Sequence, residues 1–160
     1  MGTVRRSTRK FMNKTLLVVA DLGGFKAYKF TANELPNRPP RLDLLEHYDN
    51  EQAHDRLVDK VSDLAGRFPR ADGALPGGGM SVGERHNIAL ESRKRLVRQL
   101  AQRINLLARQ PEVERCFLAA SREINGQLLD ELDSQVRGKI IKNVPADLTK
   151  LERQDILRHF

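Results

Sequence analysis

Along the first third of the chain, apolar and polar positions follow strand periods. Thr15–Asp21 is a nearly continuous apolar run, Thr15-Leu16-Leu17-Val18-Val19-Ala20-Asp21, of the length expected for a strand buried on both faces. Phe25–Thr31 is again rich in β-formers, and Leu22-Gly23-Gly24 between the two supplies the glycines of a tight hairpin, where a positive φ is expected. Asn33–Pro40 contains three prolines and reads as a loop. Arg41–Tyr48 then places Leu42 and Leu44 on one face of a third strand.

Between Asp49 and Met80 the periodicity decays while Gly and Pro accumulate, which predicts a long surface loop with a Gly-rich portion at about 71–82. A period of 3.6 follows over Gly83–Arg109. Its inner face is Ala89, Leu96, Val97, Leu100, Ile104, Leu107 and Ala108, and its outer face is Glu91, Arg95, Arg98, Gln102, Asn105 and Arg109. Pro111 stops this helix, and Arg115–Ala120 reads as a buried strand. Ser121 caps a helix that carries Ile124, Leu128, Leu129, Leu132 and Val136 and ends at Gly138. Lys139–Val144 is the last strand, and Thr149-Lys150-Leu151-Glu152 has the form of a capping box opening a C-terminal helix. Three strands followed by alternating helices and strands predict an α/β fold, a mixed β-sheet with an N-terminal hairpin and packed helices.

Composition narrows the class. At 160 residues the chain is the size of one domain, assigned to 15–160, with residues 1–14 as a flexible basic arm lacking either apolar period. The longest apolar run is far short of the roughly 20 residues that span a membrane, and no secretion signal pattern opens the sequence, so no membrane insertion and a cytoplasmic location are expected. A single cysteine, Cys116, excludes an intrachain disulfide and fits a reducing compartment, and its apolar neighbours mark it as a buried small hydrophobe.

The formal charge of +7 is concentrated in the arm and in Arg85–Arg103. Basic clustering of this kind is the electrostatic footprint of phosphate binding, so Arg85, His86, Lys94, Arg95 and Arg98 are the candidate RNA-binding residues, beside a loop of Gly77, Gly78, Gly79 and Met80. No aromatic residue is interleaved there, which disfavours a stacking platform for single strands and favours backbone or shape recognition of folded RNA. A solvated polar face is the competing explanation of the stripe.

Other chemistry is thin. The glycines lack the Lys-Ser/Thr of a phosphate-binding loop. The four histidines, His47, His54, His86 and His159, show no zinc-ligand spacing, so no metal and no cofactor are assigned. Asp21 at the end of the first strand, with Glu46 or Asp49 at the end of the third, offers the one carboxylate arrangement that suits a Mg²⁺-dependent nuclease. Asp63 and Arg67 have the spacing of an i, i+4 ion pair.

Four stretches together resemble a known family: Val18-Val19-Ala20-Asp21 with Ala27 and Phe30, the run Val61–Phe68 with its Ser62-Asp63 and Gly66-Arg67, Cys116–Ala120, and Ala146-Asp147-Leu148-Thr149-Lys150. Over about residues 14–160 the chain resembles the bacterial family of proteins required for attachment to host cells. That family is similar in fold to the central domain of archaeal and eukaryotic class-1 release factors, a ribonuclease-H-like α/β sheet. In those factors a Gly-Gly-Gln loop precedes a long helix, whereas this chain has Gly77-Gly78-Gly79-Met80 at the comparable place and lacks the glutamine. The resemblance thus implies a non-enzymatic adaptor that associates with structured RNA, tRNA or the ribosome. A protein–protein interaction module of attachment is the second reading, and a Mg²⁺-dependent nuclease the third.

Overall fold

The computed structural model describes residues 15–33, 35–49 and 82–160. The basic arm, the Gly-rich loop and the Asp63/Arg67 pair lie outside them. So do Arg5–Lys14 and Ala71–Ser81, for which charge and glycine content predict mobility; Val82, next in line, opens a helix.

Five strands form one mixed sheet in the order β3-β2-β1-β4-β5: β1 (Thr15–Ala20), β2 (Gly24–Thr31), β3 (Arg41–Asp49), β4 (Arg115–Ala120) and β5 (Ile140–Val144). β1 pairs antiparallel with β2, and β2 with β3, while β1–β4 and β4–β5 are parallel. The helices are α1 (Val82–Ala108), α2 (Arg122–Glu131), α3 (Ser134–Lys139) and α4 (Arg153–Leu157). The expected α/β class and mixed sheet with its N-terminal hairpin are therefore present.

All six β1 residues are buried, as its unbroken apolar run requires. On one face Leu16, Val18 and Ala20 meet Val97, Ala101 and Ile104 of α1, with Ile124 and Leu128 of α2 and Val136 of α3. On the other, Leu17 and Val19 meet Tyr28, Leu42, Leu148 and Ile156 of α4. A T-shaped Phe30–Phe117 contact with centroids 5.4 Å apart and a Phe117–Phe160 contact at 5.1 Å close that second face. Cys116 is buried, and desolvation pushes its thiol up to about 11, so it is packing and not a nucleophile.

Several local expectations change. The helix expected over Ser121–Gly138 is two helices, because Leu132 takes an extended backbone and the Asp133 N–H is accepted at 3.1 Å by Asn105 Oδ1 of α1. Gly138 lies inside α3 instead of stopping it. Ser121 holds the N-cap position of α2 but makes no side-chain cap bond. Thr149 does not cap α4; Glu152 occupies the N-cap position, and the Thr149 hydroxyl turns to Asp147 instead. Gly24 sits in β2 without a left-handed φ, and a Cβ there would lie 3.4 Å from Asp49 Oδ1 and 3.6 Å from Asp21 Oδ1. Its smallness serves close approach, not backbone twist.

A bulge between Ala27 and Tyr28 sets the end of β3. Tyr28 pairs with Leu44 and Ala27 with Glu46, leaving Leu45 over. Strict alternation would put Glu46 on the face of Leu42 and Leu44. The extra residue turns it to the α1 face instead, where it bridges Arg103. At the C-terminal end of α1, Lys139 Nζ donates to the carbonyls of Ala108 (2.6 Å) and Val113 (2.8 Å), satisfying acceptors that a helix end leaves open.

The packing predicts a sharp contrast within α1. Ile104→Ala, at a fully enclosed position, should lower unfolding free energy by about 2–5 kcal/mol, whereas Leu106→Ala, at 58% exposure, should change it by about 0.5 kcal/mol or less. Urea midpoints at constant m-value measure both.

Candidate functional site

Two places in the fold bring chemistry together. The first lies at the carboxyl end of β1. Asp21 follows the strand directly, and its Oδ1 accepts the Gly23 N–H at 2.8 Å. From the other side of the sheet the segment after β5 carries Asp147 and Thr149 to the same point. Asp147 Oδ1 accepts the Thr149 hydroxyl at 2.6 Å and the Thr149 N–H at 3.0 Å, and the Thr149 hydroxyl also lies 3.4 Å from Asp21 Oδ2. Lys26 Nζ of β2 donates to the Thr149 carbonyl at 2.6 Å, fixing the segment against the sheet. A cleft of about 410 Å³ opens here, bordered also by His47, Asp49 and Lys150.

The carboxyl groups of Asp21 and Asp147 are close enough to share a hydrogen bond, and their environments drive them apart. Burial, and then the neighbouring Asp147 charge, raise Asp21 above the ordinary carboxyl range against the pull of the Gly23 and Gly24 N–H groups. Burial also opposes the charged form of Asp147, but the two bonds from Thr149 outweigh it and, with Asp21 and Lys150, hold that carboxyl below its ordinary value. The pair therefore titrates as a unit that takes up its first proton mainly on Asp21.

The carboxylates considered for a nuclease, Glu46 and Asp49, do border the clefts that Asp21 lines, but Glu46 is bridged by Arg103 and Asp49 lies 3.1 Å from His47, so each already has a basic neighbour. Among the described residues no group of three or more His, Cys, Asp or Glu side chains is placed to hold a metal ion. Sequence reasoning missed Asp147 as Asp21's partner, and with it Thr149, because an expected helix cap explained that stretch without reference to β1.

The second place is α1. Its C-terminal half is packed, but from Val82 to Leu96 no side chain is buried, including Ala89, which was expected on the inner face. The apolar Val82, Ile88 and Leu90 are exposed among cations. Arg85, His86, Lys94, Arg95 and Arg98 are all exposed on this one helix, yet they are not equivalent. Lys94 Nζ lies 3.3 Å from Glu91, and Arg98 Nε lies 3.5 Å from Glu131 of α2. Arg93, next to Lys94, reaches Glu123 of α2 at 3.7 Å. Arg85, His86 and Arg95 have no acidic partner among the described residues. The outer stripe is thus not a uniform solvated face: Arg98, Asn105 and Arg109 all turn to α2 and the residues after it. Gly77, Gly78, Gly79 and Met80 lie outside the described residues.

These features define an α/β protein with a five-stranded mixed sheet, a carboxyl pair at the end of its central strand and a basic helix whose first half has no buried side chain among the described residues. The chain belongs to the family described as "Protein required for attachment to host cells", which matches residues 16–160. No curated protein matches the sequence. Among the described residues, no helix is long and apolar enough to cross a membrane.

The carboxyl pair makes stability depend on pH in a defined direction. The raised value of Asp21 contributes stability that is complete below its unfolded pKa and is lost as pH rises through its folded one. The lowered value of Asp147 contributes stability present above its unfolded pKa and lost as pH falls through the folded one. Asp21→Asn removes the first cost while keeping an acceptor for Gly23 and offering a donor to Asp147. At pH 8 it should be more stable than the parent by a few tenths to about 1 kcal/mol, the exposure of the pair limiting the gain. The difference should close as pH falls through the raised Asp21 value, as read from thermal midpoints across pH.

Proposed function

We propose that the protein acts by binding, as a protein–protein interaction module in attachment to host cells, and docks an acidic, partly apolar partner surface along the first half of α1. The observation that carries this reading is the fifteen-residue stretch Val82–Leu96, helical yet without a buried side chain. An isolated helix of that length is marginal in water, and most helical stability in proteins comes from packing an apolar face. Val82, Ile88 and Leu90 supply the apolar contact, and Arg85 and Arg95 supply charge not already neutralised among the described residues. Partners of this kind are recognised through helix faces read at i, i+3, i+4 spacing.

Association with structured RNA, tRNA or the ribosome is the reading that the sequence charge favoured. Its support weakens where three of the clustered cations, Arg93, Lys94 and Arg98, already face carboxylates. A phosphate-tracking surface gains its affinity from released counterions at each basic side chain, and a cation already paired contributes less. The exposed apolar residues also have no use in backbone recognition of folded RNA, and the family description points to attachment.

The test compares the full chain with Arg85→Glu/Arg95→Glu, which leaves Val97, Ala101 and Ile104 untouched, so both proteins should fold alike. Captured from native cells after ribonuclease treatment, the parent should retain a protein partner that the variant loses, and cells carrying the variant at equal level should attach to host cells less well. Loss of all partners on ribonuclease treatment would overturn the proposal. So would tRNA affinity whose salt slope becomes shallower by about one unit per removed arginine; either result would establish the RNA-associated reading.

A further inference from the structure

On the α1 side of the hairpin a second cleft, of about 350 Å³, lies between the β1–β2 turn, β3 and the point where α1 begins to be buried. Leu22, Leu96, Leu100 and Tyr48 form its apolar walls. Leu22 and Leu100 are only partly buried although they pack against the main core, and Tyr48 is 53% exposed. Apolar surface is therefore left open in a concavity whose size falls at the lower end of the range for specific ligand sites, ~300–1,000 Å³.

Its polar groups carry an excess of negative charge in an otherwise basic protein. Asp21 and Glu46 line it against the single cation Arg103, together with the amide of Gln99. Arg103 spends two of its donors on Glu46, with Nη2 2.7 Å from Oε2, so it presents little unmatched charge to an occupant. An ionised carboxylate has about four acceptor sites, so Glu46 can accept further donors, and a cation beside Asp21 would offset the repulsion from the neighbouring Asp147 charge. The occupant that matches apolar walls, an open tyrosine ring and one surplus negative charge is flat, cationic and rich in donors. An ammonium is too strongly hydrated to give up water easily in such a cleft. A guanidinium is weakly hydrated, stacks on aromatic faces and bonds carboxylates through two parallel donors.

We propose that the cleft between the β-hairpin and α1 is a receptor for an arginine side chain of a partner protein, its stem against Leu22, Leu96 and Leu100, its guanidinium against Tyr48 and between Asp21 and Glu46. The proposal rests on the reading of the chain as a protein-interaction module and adds to it a second, oppositely charged contact. An acidic partner surface would lie on the exposed turns of α1, and one basic residue would anchor in the cleft at their end. The alternation of charge would fix the register of the partner along the helix, as opposed charges do across interfaces.

The experiment uses the full chain and three small probes: Nα-acetyl-arginine methylamide, its neutral isostere Nα-acetyl-citrulline methylamide, and Nα-acetyl-lysine methylamide. Amide chemical shifts of Gly24, Gln99 and Leu100 are followed during titration. The arginine probe should shift them saturably, at least about tenfold more tightly than the citrulline probe, and more tightly than the lysine probe. Asp21→Asn, which keeps the fold, should remove most of that preference. Tyr48→Leu should weaken the arginine probe several-fold while leaving the citrulline probe nearly unchanged. Equal binding of arginine and citrulline probes, binding insensitive to both substitutions, or no saturable shift at these residues would overturn the proposal. None of these outcomes depends on Arg85 or Arg95, so the cleft and the α1 surface stand or fall separately.

Discussion

Thr15–Ala20 is hydrogen-bonded along both edges and covered on both faces, so every other element takes its position from this one strand. A strand of that kind cannot alternate apolar and polar residues, and its only polar outlet is its end. The main chain leaves the core at Ala20, and the next side chain, Asp21, is the first that can carry charge. Both clefts open around that residue because the strand delivers it to the point where the sheet stops and its two faces meet.

What gathers at that point is held by polar bonds from segments far apart in sequence. Lys26 ties β2 to the Thr149 carbonyl, the Thr149 hydroxyl and N–H hold Asp147, and Asp147 faces Asp21. Removing one member of such a set leaves half-buried groups without partners, a cost that exceeds the net value of any single bond in it. The reciprocal Asn125–Asn143 amide pair, with bonds of 2.9 and 2.8 Å, does the same between α2 and β5. The C-terminal segment thus depends on directional contacts as well as on the packing of Leu148 and Ile156, and its sequence reflects this in the spacing of Asp147 and Thr149.

The strands and the long helix were legible because their signal is periodic. Leu16 to Ala20 form the unbroken apolar run of a strand buried on both faces, while Leu42 with Leu44 and Val97 with Ile104 repeat at the period of their element. Where one residue breaks a period, the signal fails. Leu45 is an ordinary strand residue in sequence, yet as the extra residue of the bulge it decides that Glu46 meets Arg103. Leu132 fits the apolar stripe of a continuous helix, and only the acceptor on Asn105, 28 residues before Asp133, explains why the chain turns extended there. Thr149 matched a capping pattern whose local geometry was complete, so nothing in the sequence pointed to Asp21. Of the candidate residues, Arg85, His86, Lys94, Arg95 and Arg98 were correctly placed on one exposed helix. What sequence could not rank was their charge, since Glu131, which takes Arg98, is separated from it by 33 positions.

That ranking changes what the basic stripe can do. On a helix read alone, six cations against two carboxylates make a field that suits phosphates. Folded, the stripe is divided. Toward the C-terminal half, Arg98, Arg103 and Arg109 are bound to Glu131, Glu46 and Asp133 and hold α1 to its neighbours. Toward the N-terminal half, Arg85 and Arg95 stand among Val82, Ile88 and Leu90. Apolar exposure beside cations without acidic partners is of little use against a sugar-phosphate backbone, but it matches a protein surface that offers both carboxylates and carbon. The net acidic cleft at the base of this stretch strengthens the distinction, because it would repel phosphates at the very place where the helix enters the fold. Charge of one sign along the exposed turns and of the other at their foot is a pattern that a folded partner with its own arrangement of charges can match.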